Sequence, residues 1–131
     1  MIRPSTTLAL LLGLAACQGQ PPQTPPTIVH ARADSANTLE VGQILEVALE
    51  GNAGTGYQWQ VVESGQPQLA AIAPSADTAT AAPARPGGPV LQRLRFRAEQ
   101  PGQALLRLEY RRPWERGEPA ARTADYRVDV R

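Results

Sequence analysis

The 131-residue sequence has few of the residue types on which catalytic and metal sites depend. It contains one cysteine (Cys17), one histidine (His30) and no lysine. A single cysteine cannot form an internal disulfide, so the fold must rely on its apolar core. These residues assemble neither a Ser-His-Asp or Cys-His set nor a cluster of metal ligands. We expect no enzyme, metal or cofactor. Carboxylates alone are numerous enough for a hydrolase, but most occupy predicted solvent-facing strand positions.

The chain also lacks a strong excess of charge of either sign. Thirteen arginines face twelve acidic residues, which gives a formal net charge of +1. Binding to nucleic acid requires an excess of cationic side chains on one face. We therefore expect no nucleic-acid partner.

Long apolar runs are absent as well. Leu8–Leu14 is too short to form a stable transmembrane helix. Preceded by Arg3 and followed by small residues, it has the order of a bacterial secretory signal. The triplet Ala15-Ala16-Cys17 resembles a lipobox, which would make Cys17 the lipidated first residue of the mature protein. We predict a signal peptide over 1–16 and an exported lipoprotein of the cell envelope, at the outer membrane or periplasm; an ordinary signal peptide cut nearby is the alternative.

The remaining chain divides into a tether and one domain. Residues 17–26 are rich in proline and glutamine, and such a stretch should extend and hold the domain away from the membrane. Residues 27–131 suffice for one hydrophobic core but not for two. Nothing in them calls for more than a monomer.

Alternation of apolar and polar residues predicts β-strands in most of this domain. The clear segments are 43–50, 57–62, 90–98, 104–111 and 126–131, and the weaker ones are 27–33 and 69–73. Arg93, Arg95 and Arg97 should form an exterior stripe. No window has a convincing helical period. Several short strands separated by Gly and Pro turns predict an all-β, immunoglobulin-like antiparallel β-sandwich of about seven strands.

The connection between the first two clear strands is rich in glycine. Gly54 and Gly56 allow backbone angles closed to other residues, and Thr55 sits between them at the tip. Tyr57 and Trp59 should anchor the base of this connection in the core. We interpret it as a projecting loop with a shaped backbone, although an ordinary tight connection is equally compatible with its composition.

A second unusual connection follows the strand that ends at Tyr110. Pro113 fixes the chain path, and Trp114 lies beyond any expected core position. An exposed indole beside arginines is typical of a binding hot spot; the alternative is a Trp that folds back to cap the sandwich. Because alternate connections of a sandwich fall at the same end, residues 51–56, 81–89 and 112–122 could share one edge.

Together these segments resemble the chagasin-like inhibitors of papain-type cysteine peptidases. The first-loop motif Asn-Pro-Thr-Thr-Gly-Tyr/Phe-x-Trp is matched by Asn52, Thr55, Gly56, Tyr57 and Trp59. The Gly-Gly pair before a strand with an inward Phe is matched by Gly87, Gly88 and Phe96. The Arg-Pro-Trp motif is matched by Arg112, Pro113 and Trp114, after Tyr110. The resemblance spans about 28–130. Ala53 and Gly54 replace the Pro and Thr of the family, which should leave the first loop less stiff.

The resemblance implies a reversible inhibitor of papain-like (C1) cysteine peptidases. Its first loop would occupy the active-site cleft, with Thr55 and the glycine backbone nearest the catalytic cysteine. The other two loops would grip either side, with Trp114 on the primed side. The implied peptidase-binding residues are Asn52, Ala53, Gly54, Thr55, Gly56, Tyr57, Gly87, Gly88, Arg112, Pro113 and Trp114. The alternative is an immunoglobulin-like envelope module that binds another protein or a polysaccharide without inhibiting a protease.

Overall fold

A computed structural model describes residues 19, 22, 24–74 and 85–131. The predicted signal peptide, Cys17, much of the tether and residues 75–84 lie outside the described residues. None of the helical segments in the described ranges is long and apolar enough to cross a membrane.

The described chain is built from β-strands and one short 3-10 turn. The strands are β1 (Ile28–His30), β2 (Asn37–Leu39), β3 (Ile44–Gly51), β4 (Gln58–Ser64), β5 (Leu69–Ile72), β6 (Val90–Ala98), β7 (Gly102–Arg111) and β8 (Arg122–Val130), and the turn is Ala53–Thr55. The all-β prediction is confirmed, and each of the seven predicted segments overlaps an observed strand. The sequence interpretation missed β2, which is too short to show alternation, and the 3-10 turn.

Two four-stranded sheets pack as a sandwich, with strand orders β1-β3-β6-β5 and β2-β8-β7-β4. The pairs β3–β6, β5–β6, β4–β7 and β7–β8 are antiparallel. The predicted antiparallel sandwich is confirmed in these four pairs, whereas the short strands at two edges pair in parallel, β1 with β3 and β2 with β8. The N-terminal segment therefore runs along one sheet and then crosses to border the other.

The core lies between the inward faces of the two sheets, as the alternation predicted. Its largest fully buried side chains are Phe96, Leu39, Leu45, Leu69, Leu106, Leu108 and Val47. Val61 follows Tyr57 and Trp59 on the face that alternation predicts to be inward, yet it is 37% exposed. It lies on the edge strand β4, just before a break in register, and lines an open lateral groove with Ile72 and Leu94. The burial of an edge position depends on what covers the edge, which alternation alone does not reveal.

The exterior arginine stripe of β6 is partly engaged by a buried carboxylate. Glu46, expected on the solvent side of β3, is only 7% exposed. Its Oε2 lies 2.8 Å from the Nε of Arg95, and its Oε1 lies 3.9 Å from Arg93 and 3.5 Å from His30 Nδ1. Long side chains on neighbouring strands cover the carboxylate, and the guanidinium charges of Arg93 and Arg95 compensate its charge. The prediction that Glu46 is exposed to solvent was therefore wrong.

Candidate functional site

Three connections meet at one end of the sandwich. We call them the first loop (Asn52–Tyr57, between β3 and β4), the middle loop (its described part, 85–89, before β6) and the third loop (112–121, between β7 and β8). The side-chain Nδ2 of Asn52 donates to the carbonyl oxygen of Gly87 in the middle loop at 3.1 Å. Arg112 Nε donates to the carbonyl oxygen of Thr55 at 3.0 Å. The first loop thus contacts both of its neighbours.

Asn52 folds the first loop into its 3-10 turn. Its side-chain Oδ1 accepts the backbone N–H of Gly54 at 3.1 Å. Its carbonyl oxygen accepts the backbone N–H of Thr55 at 3.3 Å and the Thr55 hydroxyl at 2.7 Å. Asparagine commonly nucleates turns through such bonds to the backbone two residues on, and this was the signal in the sequence for the missed turn. Three hydrogen bonds within a six-residue loop thus satisfy five of its polar groups.

The middle loop turns at its two glycines. Gly87 has a φ of +74°, a left-handed angle that favours glycine. The N–H of Gly88 donates to the carbonyl oxygen of Arg85 at 3.0 Å, which closes the turn. This conformation presents the Gly87 carbonyl to Asn52.

A cluster of aromatic rings supports the first loop from below. The ring of Tyr110 stacks on Tyr57 with centroids 5.3 Å apart and lies against Trp59 at 5.1 Å. The guanidinium of Arg122 lies 4.3 Å above the Tyr110 ring, and the Tyr110 hydroxyl accepts the backbone N–H of Asn52 at 2.7 Å. Tyr57 and Trp59 therefore sit at the loop base as expected. The sequence interpretation gave no supporting role to Tyr110 or Arg122; the inward position of Tyr110 was a signal for the former, and nothing signalled the latter.

Trp114 stands on the surface at this end and touches the first loop. It is 67% exposed, so the indole does not fold back into the core. Gly56 lies beneath it with a φ of +79°, and a Cβ built on Gly56 would approach the indole Cη2 to 2.3 Å. Only a residue without a side chain allows this approach. The exposure predicted for Trp114 is confirmed.

Arg112 joins the first and third loops. Besides donating to Thr55, its guanidinium lies 4.5 Å from the centre of the Tyr57 ring. Its Nη1 lies 3.1 Å from Glu115 Oε1. These contacts are internal to the protein. A single arginine provides all three because its donors point in fixed, separate directions and the flat face of its guanidinium can lie over a ring.

The chemistry of this end is that of a surface. Shifted pKa values in the described ranges occur elsewhere: a hydrogen bond from Arg107 lowers the pKa of Asp125, and burial raises that of Tyr126. No group of three or more His, Cys, Asp or Glu side chains in the described part of the chain could hold a metal ion. The three loops supply shape, backbone polar groups and an indole.

The hydrogen bond between Asn52 and Tyr110 can be removed without changing the aromatic packing. We expect Tyr110→Phe to lower the free energy of unfolding by about 0.5–1.5 kcal/mol, the usual contribution of one such bond. Urea denaturation of the two proteins measures the difference. The control, Tyr126→Phe, removes a hydroxyl from a buried tyrosine of β8 outside the loops. Faster hydrogen exchange at the Asn52 amide should appear in Tyr110→Phe only, and exchange equal to wild type would contradict the assigned bond.

Comparison with known proteins places this arrangement in a family. Residues 38–128 match the family model described as chagasin family peptidase inhibitor I42. Amoebiasin-2 of Entamoeba histolytica is 27% identical over 97 residues, which is 71% of this chain and 75% of that protein.

Solved structures share the fold. The cysteine protease inhibitor EhICP2 of Entamoeba histolytica superposes with a TM-score of 0.64 at 20% identity, over 83% of this chain and 100% of that one. Amebosin superposes with a TM-score of 0.56 at 27% identity, over 82% of this chain and 100% of that one. PbICP-C, solved in complex with falcipain-2, superposes with a TM-score of 0.52 at 23% identity, over 86% of this chain and 95% of that one. These likenesses confirm the predicted chagasin-like, immunoglobulin-like sandwich.

The matched range contains all three loops and more than half of the chain. The predicted resemblance is therefore confirmed, and peptidase inhibition is favoured over a non-inhibitory envelope module. The chain belongs to the chagasin family of peptidase inhibitors and is not an enzyme.

Proposed function

We propose that this protein reversibly inhibits papain-like cysteine peptidases by inserting the first loop into the active-site cleft, flanked by the middle and third loops. One observation carries the proposal: the loops that hold the family motifs are hydrogen-bonded to one another at a single end, with Trp114 exposed beside them. The site residues are those that the sequence resemblance implied, from Asn52 to Tyr57, Gly87, Gly88 and Arg112 to Trp114.

Rigidity explains how a small edge could bind tightly. A loop that is already in its bound shape loses little conformational entropy on association, so more of the contact energy remains as affinity. The bonds from Asn52 and Arg112 fix the first loop before any partner arrives. Trp114 adds a large apolar surface of the kind that dominates interface energetics.

Inhibition of this kind is non-covalent. A covalent bond to the peptidase thiolate would require a reactive electrophile, and the first loop contains only ordinary peptide carbonyls. The first loop would lie across the peptidase cysteine and histidine and exclude substrate by occupying their cleft. Nothing in the three loops needs to react.

Titration of papain and of a cathepsin tests the proposal. The mature protein carrying Cys17→Ser, which cannot be lipidated, is added to each enzyme with a fluorogenic substrate. We expect competitive inhibition in the nanomolar to micromolar range that is reversed by dilution. No inhibition at high concentration would refute the proposal and would favour an envelope-binding module.

The same protein is proposed to act as a monomer at the cell envelope. The basic, apolar and small-residue order before Cys17 supports a signal peptide over 1–16, lipidation of Cys17 and a tether over 17–26. The domain would then occupy 27–131, held at the outer membrane or in the periplasm.

Cys17→Ser should move the protein from the membrane fraction to the soluble fraction, because the serine cannot carry the thioether-linked lipid. Immunoblotting of fractionated cells measures the distribution of each form. Ser35→Ala, which leaves the signal region unchanged, is the control and should remain with membranes. Continued membrane association of Cys17→Ser would show that the anchor is assigned wrongly.

A further inference from the structure

We propose that Arg112 protects the Thr55–Gly56 peptide bond from cleavage by the bound peptidase. Arg112 would thus be a positioning residue that keeps the protein an inhibitor instead of a substrate. This inference rests on the proposed function, because only a first loop in the cleft brings that bond near the catalytic cysteine.

An exposed loop tip with small residues is ordinarily a preferred site of proteolysis. In the reaction, the peptidase thiolate would add to the carbonyl carbon of Thr55, and the bond to the Gly56 nitrogen would break. The amine would leave with a proton from the peptidase imidazolium. Water would then hydrolyse the thioester: its hydroxyl adds to the acyl carbon, its proton returns to the imidazole and the thiolate leaves. This gives a Thr55 carboxylic acid, which ionises in solvent, and restores the thiolate–imidazolium pair. Each step requires the carbonyl to face the thiolate and its oxygen to reach the oxyanion donors.

The structure holds the Thr55 carbonyl oxygen away from such a position. That oxygen accepts the Nε–H of Arg112 at 3.0 Å and therefore points toward the third loop. To enter an oxyanion hole, it must first lose this charge-assisted hydrogen bond. Arg112 is itself kept in place by the ring of Tyr57 and the carboxylate of Glu115.

The amine side of the Thr55–Gly56 peptide bond is also fixed. Gly56 has a φ of +79°, so the backbone reverses just after Thr55 instead of continuing as an extended strand. The indole of Trp114 covers the Gly56 Cα, where an added Cβ would lie 2.3 Å from Cη2. The acyl side of the bond is thus held by Arg112 and the amine side by Trp114.

The neighbouring peptide bonds do not depend on Arg112. The N–H groups of Gly54 and Thr55 donate to Asn52, which closes the 3-10 turn from within the first loop. Loss of Arg112 should therefore expose one bond in particular. Cleavage would yield a fragment that ends at Thr55 and another that begins at Gly56.

Arg112→Met tests this role, because the methionine can still pack on Tyr57 but has no donor for the Thr55 carbonyl. The variant, in the mature Cys17→Ser protein, is incubated with papain while intact mass and residual peptidase activity are followed. We expect cleavage at Thr55–Gly56 about 10- to 100-fold faster than in the parent, the factor that one hydrogen bond to a charged group represents, with inhibition that fades over time. Arg112→Lys, which restores a single donor, should be cut at the same bond more slowly. Arg116→Met, in the same loop, should resist cleavage like the parent.

The outcomes separate this inference from the proposed function. If the parent inhibits and folded Arg112→Met weakens without being cut, Arg112 only contributes affinity and the inference is wrong. Cutting at other bonds, or equal cutting of Arg116→Met, also overturns it. If Arg112→Met does not fold, Arg112→Leu, which also lacks a donor, replaces it, and absence of any cut in folded Arg112→Leu overturns the inference. If the parent protein inhibits no papain-like enzyme, both the proposed function and this inference are wrong.

Discussion

Replacing Trp114 with alanine should weaken inhibition of a papain-like peptidase by about 1–4 kcal/mol, the range expected for an interface hot spot. That corresponds to a roughly 5- to 1,000-fold rise in the inhibition constant. The indole is 67% exposed in the free protein, so its removal takes little from the core. The melting temperature should therefore stay close to that of the wild type.

Inhibition constants of matched variants measure this effect. Trp114→Phe keeps an aromatic ring and should fall between wild type and Trp114→Ala. Val41→Ala removes another exposed apolar side chain, 50% exposed, from a turn before β3 and thus at the opposite end of that strand from the first loop. It should inhibit like wild type. An inhibition constant for Trp114→Ala equal to that of Val41→Ala would place Trp114 outside the interface.

Most of the sandwich could be predicted because long strands carry their burial pattern in the sequence. Val90–Ala98 and Gly102–Arg111 alternate over nine and ten residues, enough to identify the faces without knowing their partners. The strand β2 has three residues and depends on distant contacts: the side chain of Asn37 donates to the carbonyl oxygens of Arg32 and Arg127, the latter 90 positions away. A strand held by such bonds has no local signature.

The sequence predicted which loops form the candidate site but not the contacts that hold them in place. The alternation of connections in a sandwich indicated which loops share an end, yet the bond from Arg112 to Thr55 joins residues 57 positions apart. Ala53 and Gly54 in place of Pro and Thr suggested a less stiff first loop. In the structure, this loop is constrained by a hydrogen bond from Asn52 to Gly87 of the middle loop and by one from Arg112 of the third loop to Thr55. Stiffness that arises from tertiary contacts cannot be inferred from the residues of the loop alone.

Gly56→Ala should reduce inhibition about 100-fold or more, because it combines two penalties. A left-handed φ costs a residue with a Cβ about 1–2 kcal/mol, and Gly56 has a φ of +79°. In addition, the new methyl group would lie 2.3 Å from the indole of Trp114. Since this indole is exposed, it can move away, and the proposed interface anchor would then leave its position.

Gly42→Ala distinguishes the two penalties expected for Gly56→Ala, the strain of a left-handed φ and the displacement of the Trp114 indole. Gly42 has a φ of +94° with nothing within 4 Å of an added Cβ, so the substitution should cost stability through backbone strain alone. Urea denaturation should show similar losses for both variants, whereas the inhibition constant should rise for Gly56→Ala only. A large rise for Gly42→Ala would mean that general destabilisation, and not the loop, controls inhibition.

A double-mutant cycle with Trp114→Ala identifies the route by which Gly56→Ala acts. If the methyl group works mainly by displacing the indole, most of its effect disappears once the indole is gone, and the two free-energy changes are far from additive. The residual effect in the Trp114→Ala background then reports the strain at Gly56 itself. Additive changes in the inhibition constant would mean that the first loop and Trp114 contact the peptidase independently. In that case the contact between Gly56 and Trp114 would not be what holds the anchor in its binding position.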